Sequence, residues 1–165
     1  MNWPHLHLMI NHFPVIMSVV AFLAALLGLV VRWRNIWLFA AVCLTIAGGS
    51  VGPVFLTGDK AGDAVRDMPR APKQVINGHE DAAETALFVV LAAGVIGAVV
   101  WRRLSKAEPT QIVPPAWIRV AILVASLVAS GVIGYAALLG GMIYHGPNGN
   151  TRPAAWDSTT APAPP

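Results

Sequence analysis

The sequence predicts an all-α fold, an integral membrane four-helix bundle. Three observations predict it. Hydrophobic residues make up 56% of the 165 positions and charged residues only 12%. That charge is about half of what a soluble domain usually carries. Mean hydropathy is +0.62. Finally, the apolar residues gather into four runs, each near the roughly 20 helical residues that cross a bilayer. Inside hydrocarbon every backbone amide must be satisfied within the protein, so four packed helices are the expected answer.

The first predicted helix spans 8–31 and stops at Arg32-Trp33-Arg34-Asn35, a very tight link. It does not read as a cleaved signal peptide: it lacks a positive leading region, its apolar run is too long, and no small-residue cleavage site follows. The second spans 36–56. A polar loop is expected from Thr57 to Gly78. The third spans 79–101, with Asn77 as its expected N-cap and Glu80 three residues on, a relative of the capping box. That start puts His79 in a first turn, where the helix dipole favours a neutral imidazole. A basic, proline-containing connection with Arg102, Arg103 and Lys106 leads to the fourth helix, 116–144. Residues 147–165 form a Pro-rich tail expected to be poorly ordered.

Orientation follows from the basic residues. Arg32, Arg34, Arg102, Arg103, Lys106 and Arg119 fall on one face, and Lys60, Arg66, Arg70, Lys73 and Arg152 on the other. The first helix weighs most in orientation, and both of its flanking arginines follow it. The tight link and the basic connection are therefore expected in the cytoplasm of a bacterial inner membrane, with both termini outside.

All five histidines then belong to the outer side: His5, His7 and His12 at the start of the first helix, His79 at the start of the third, His145 at the end of the fourth. Asp59 joins the same layer. Small residues at three- and four-residue spacing line the same faces, as in Ala83, Ala86, Val90, Ala93 and Gly97 after His79, and Gly141, Ala137, Gly134 and Ser130 before His145. Such faces serve close helix packing, or leave room for a flat macrocycle. Two imidazoles on facing helices suit haem iron. Three imidazoles with Asp59 suit zinc or copper. A polar outer layer also suits an anchor for a partner complex.

The remaining polar and aromatic residues have plainer readings. Trp33, Trp37, Trp101 and Trp117 stand at helix ends and read as interfacial anchors. Cys43, the single cysteine, reads as a buried apolar-like residue and excludes an intrachain disulfide. Glu84 lies deeper in the third helix, as a partner for a histidine or part of a proton path. The net charge of +3 with no basic cluster among aromatics excludes nucleic acid as a partner. No nucleotide loop, nucleophile–base motif or hydrolase signature is present, so the chain reads as a carrier rather than an enzyme.

The segment His7-Leu8-Met9-Ile10-Asn11-His12-Phe13-Pro14 resembles the His-x-x-x-x-His-Phe-Pro opening of a group of bacterial membrane proteins catalogued as domain of unknown function 2231. Thr57-Gly58-Asp59, His79 and the ending Gly140-Gly141-Met142-Ile143-Tyr144-His145-Gly146 (one residue tighter here) are similar to that group's other motifs. The resemblance covers residues 5 to 146, and the Pro-rich tail falls outside it. It implies four helices and a haem b-type or redox-associated membrane protein. The expected site is one haem near the outer face, held by His12 and His79 with His145 as substitute. Asp59 would accept a ligating histidine's free N–H, and Arg66, Arg70 or Lys73 would pair with propionates. The expected partners are the lipid bilayer, a periplasmic or membrane redox protein, and quinone.

Overall fold

The computed structural model describes residues 3–66, 73–108 and 113–145, without the side chains of 64–66 and 144–145. The elements are α1 (Trp3–Ile10), α2 (His12–Val31), α3 (Arg34–Arg66), α4 (Lys73–Lys106) and α5 (Ala116–His145). They make four spans long and apolar enough to cross a membrane, because α1 and α2 together form one, Trp3–Val31. No strand occurs among the described residues. The chain is a multi-pass, all-α membrane protein. The Pro-rich tail lies outside the described residues.

Asn11 is the turn between α1 and α2. Pro14 explains its place: it offers no N–H to the Ile10 carbonyl, and its ring crowds that carbonyl. Asn11 still donates its own N–H to the His7 carbonyl (2.9 Å), so the two segments stay nearly continuous. At the other end α2 stops in a left-handed residue, Arg32 (φ 56°), whose N–H returns to the Gly28 carbonyl at 3.2 Å. Only Arg32 and Trp33 separate α2 from α3.

The expected loop from Thr57 to Gly78 is largely helix. α3 continues to Arg66 and α4 begins at Lys73. At 1.5 Å per residue the 33 residues of α3 reach about 50 Å, well beyond a hydrocarbon core of about 30 Å. Hydropathy marks where a helix crosses lipid; it does not mark where the helix ends. Asn77 is accordingly not a cap. It is exposed in the interior of α4, and His79 sits past the first turn, so the dipole argument does not reach it.

Around the bundle α2 packs on α3, α3 on α4, α4 on α5, and α5 back on α2. α1 lies against α3. The core is built of small residues: Ala21, Ala25, Ala40, Ala41, Ala47, Ala93 and Ala129, with Leu44, Val90 and Ile122 between them. α3 and α4 make the largest contact, closest at Gly48 and Gly94. A Cβ on Gly94 would stand 2.6 Å from the Gly48 Cα, and one on Gly97 would stand 2.7 Å from the Ala41 carbonyl oxygen. The small face of α4 is therefore a packing seam.

Trp33, Trp101 and Trp117 are exposed at one end, as an aromatic belt requires. Trp37 corrects that reading: it is fully buried, with its indole against Gly28, where a Cβ would stand 2.7 Å from the ring. A missing side chain on α2 makes the space that a large one on α3 fills. Cys43 is buried, as expected.

Candidate functional site

The ends of α1, α3, α4 and α5 far from the α2–α3 link carry a device that occurs twice. His7, on α1, is half-buried against α3. Its Nδ1–H donates to the Val54 carbonyl at 3.1 Å, with Thr57 Oγ1 at 3.3 Å. The ring lies over Gly58, where a Cβ would stand 2.9 Å from Cε1. His79, on α4, is half-buried against α5. Its Nδ1–H donates to the Ala136 carbonyl at 2.9 Å. The ring lies over Gly140, where a Cβ would stand 3.0 Å from Cε1.

In both cases the glycine follows the acceptor by four residues. In an α-helix the carbonyl of residue i faces residue i+4, so the side chain of i+4 normally shields it. Glycine at i+4 removes that shield, and an imidazole from a neighbouring helix reaches the carbonyl as a further donor, at Val54 alongside the Thr57 hydroxyl (2.9 Å). A carbonyl oxygen only accepts, so Nδ1 carries the proton in both rings. In the neutral form of each ring the lone pair is then on Nε2.

α1 is held in place by a second contact. Lys60 Nζ on α3 stands 4.3 Å from the centre of the Trp3 ring, an arrangement in which the cation is drawn to the ring face. Half-buried Glu80 reaches toward α3, with Oε1 3.5 Å from where a Gly62 Cβ would stand. At half-buried Gly52, Gly78 and Gly141 a Cβ would meet nothing within 4 Å.

The expected site residues are distributed differently from the sequence reading. His12 does not join His79. It is exposed, and its Nδ1–H donates to the Leu8 carbonyl of its own N-terminal turn at 2.8 Å. His7 takes the inward position. Asp59 is exposed, and the N–H acceptor role expected of it belongs to the Val54 and Ala136 carbonyls. Glu84 and Lys73 are exposed on α4. The side chains of Arg66 and His145, and all of Arg70, lie outside the described residues. Among the described residues no group of three or more His, Cys, Asp or Glu side chains comes together as a metal site.

The residues that sequence reasoning missed are Gly58 and Gly140 as supports, the two carbonyls, and His7 as the inward histidine. One signal for His7 was present. His7 and His12 are five residues apart, about 140° around a helix, so a single face cannot present both. No protein-family model, curated protein or solved structure matches this chain.

Proposed function

We propose that this protein is a membrane-embedded haem b electron carrier, with His7 and His79 as the axial pair. The observation that carries the reading is the repeated imidazole–carbonyl–glycine device. A histidine that ligates a metal through Nε2 ordinarily donates Nδ1–H to a carbonyl or carboxylate, which fixes the tautomer and the ring plane. Both imidazoles are held that way before any ligand arrives. They come from two helices, each clamped to a further helix, so their rings resist rotation. Two nitrogen donors are what bis-histidine haem requires. Bound haem would supply reversible one-electron exchange. This chain's residues hold the nitrogens, fix the ring planes through their main-chain bonds, and surround them with α1, α3, α4 and α5.

The basic-residue asymmetry supports an outer, periplasmic position for this end in a bacterial inner membrane. The carrier would then link a periplasmic redox protein to quinone or another membrane carrier. Such a chain moves electrons and performs no bond chemistry of its own.

The test is a visible spectrum of the detergent-purified protein, oxidised and then reduced with dithionite, after expression with ample haem. The expected result is a sharp alpha band near roughly 560 nm. His7→Ala and His79→Ala should each abolish it, and His12→Ala should keep it. A full spectrum in both of the first two variants overturns the axial assignment. A flat spectrum in the wild-type chain overturns the haem reading.

A further inference from the structure

The opposite end of the bundle carries a second feature that the haem reading does not use. Six of the chain's basic residues fall there, against one carboxylate, Glu108. Arg34 is spent internally: its guanidinium donates to the Leu104 carbonyl and, at 3.1 Å, to the Ala107 carbonyl, closing the C-terminus of α4. Arg34 and Arg119 each keep a buried Nε with no acceptor among the described residues. Arg102, Arg103 and Lys106 are exposed on the last turns of α4. With Val99 and Ala107 they line an open depression of about 460 Å³, within the range of small-ligand sites. Arg103 is oriented by α5, its guanidinium carbon 5.4 Å from the centre of the Trp117 ring.

Depth identifies what meets this depression. Trp33, Trp101 and Trp117 are exposed at the same end and mark the interfacial level. Val99, one turn earlier on α4, is apolar and exposed, as a side chain meeting hydrocarbon would be. A ligand here has an anionic head among three cations and an apolar continuation along α4. Free phosphate satisfies only the first condition.

We infer that the depression formed by Val99, Arg102, Arg103, Lys106 and Ala107 binds the phosphate headgroup of an anionic phospholipid. The site is independent of haem, and it uses the same charges that orient the protein. Arginine supplies planar donors to phosphate and lysine a compact charge, so the set suits a phosphodiester facing the bilayer surface.

The experiment is native mass spectrometry of the full chain in detergent, titrated with phosphatidylglycerol or phosphatidylcholine. The wild-type chain should prefer phosphatidylglycerol. Each of Arg102→Gln, Arg103→Gln and Lys106→Gln should weaken that lipid by about five-fold, the equivalent of about 1 kcal/mol per interfacial cation. Arg32→Gln, on the α2–α3 link outside the depression, should stay close to wild type. Lys106→Gln changes one exposed side chain and keeps the test readable if an arginine variant fails to fold. Inorganic phosphate should not displace the bound lipid. Equal retention of the two lipids overturns the inference. So does an Arg32→Gln loss as large as that of Arg103→Gln, which would mean diffuse charge rather than a site. Displacement by inorganic phosphate would assign the site to the free ion and overturn the lipid assignment.

Discussion

Replacing Gly140 with Ala tests the device under His79 directly. The added methyl would stand 3.0 Å from Cε1, 3.4 Å from Nδ1 and 3.6 Å from Nε2 of His79. Ordinary carbon–carbon contacts lie at about 3.5–4.0 Å, so the ring must give by a few tenths of an ångström. Its hydrogen bond to Ala136 starts at 2.9 Å, and that retreat stretches it toward the roughly 3.5 Å at which it is lost. A neutral hydrogen bond contributes about 1 kcal/mol, and crowding a packed site costs about 1–3 kcal/mol. Ala in place of Gly in a helix interior returns about 1 kcal/mol. The net expectation is a loss of about 1–3 kcal/mol, which for a chain of this size lowers Tm by about 2–12 °C. Gly131→Ala is the matched control: it is on the same helix, and its Cβ would meet nothing within 4 Å. It should leave Tm unchanged or raise it slightly. The assay is thermal unfolding of both variants in the same detergent. If Gly140→Ala melts at or above wild type, in step with Gly131→Ala, the ring is not seated on Gly140 and the argument fails.

Three further outcomes are expected. Gly94→Ala forces a methyl against the Gly48 backbone at 2.6 Å, with no side chain free to yield, so it should destabilise by about 1–3 kcal/mol in denaturant unfolding; an unchanged midpoint would remove the α3–α4 seam. Arg34→Gln deletes a guanidinium that caps the end of α4 through the Leu104 and Ala107 carbonyls, and should cost about 1.5–3 kcal/mol. Hydrogen exchange should quicken in the last turn of α4 and stay unchanged near His79. In the spectral series, His7→Ala should lose the haem band while His12→Ala keeps it; the reverse pattern would restore His12 as the ligand.

Much of this protein can be read from its sequence for a simple reason. Crossing lipid demands long apolar helices, and that demand is written in composition and run length. The four spans, the all-α class, the burial of Cys43 and the interfacial places of Trp33, Trp101 and Trp117 follow from it. Helix ends outside lipid carry no such constraint, so the continuation of α3 through Asp59 and Asp63, and the start of α4 at Lys73, escaped hydropathy.

The gathering of histidines at one end is legible because topology alone sets depth. Which imidazole turns inward is not, since it depends on which side of the first helix faces α3. Trp37 shows the same limit: its position at a helix end suits an anchor, and only the gap over Gly28 makes it core. The sequence by itself determined which helices are long and apolar enough to cross a membrane and at which end of the bundle the histidines stand. Tertiary structure decided which rings meet a neighbouring carbonyl, because that requires a glycine on a different helix at the right height, and the chain's linear order does not encode that pairing.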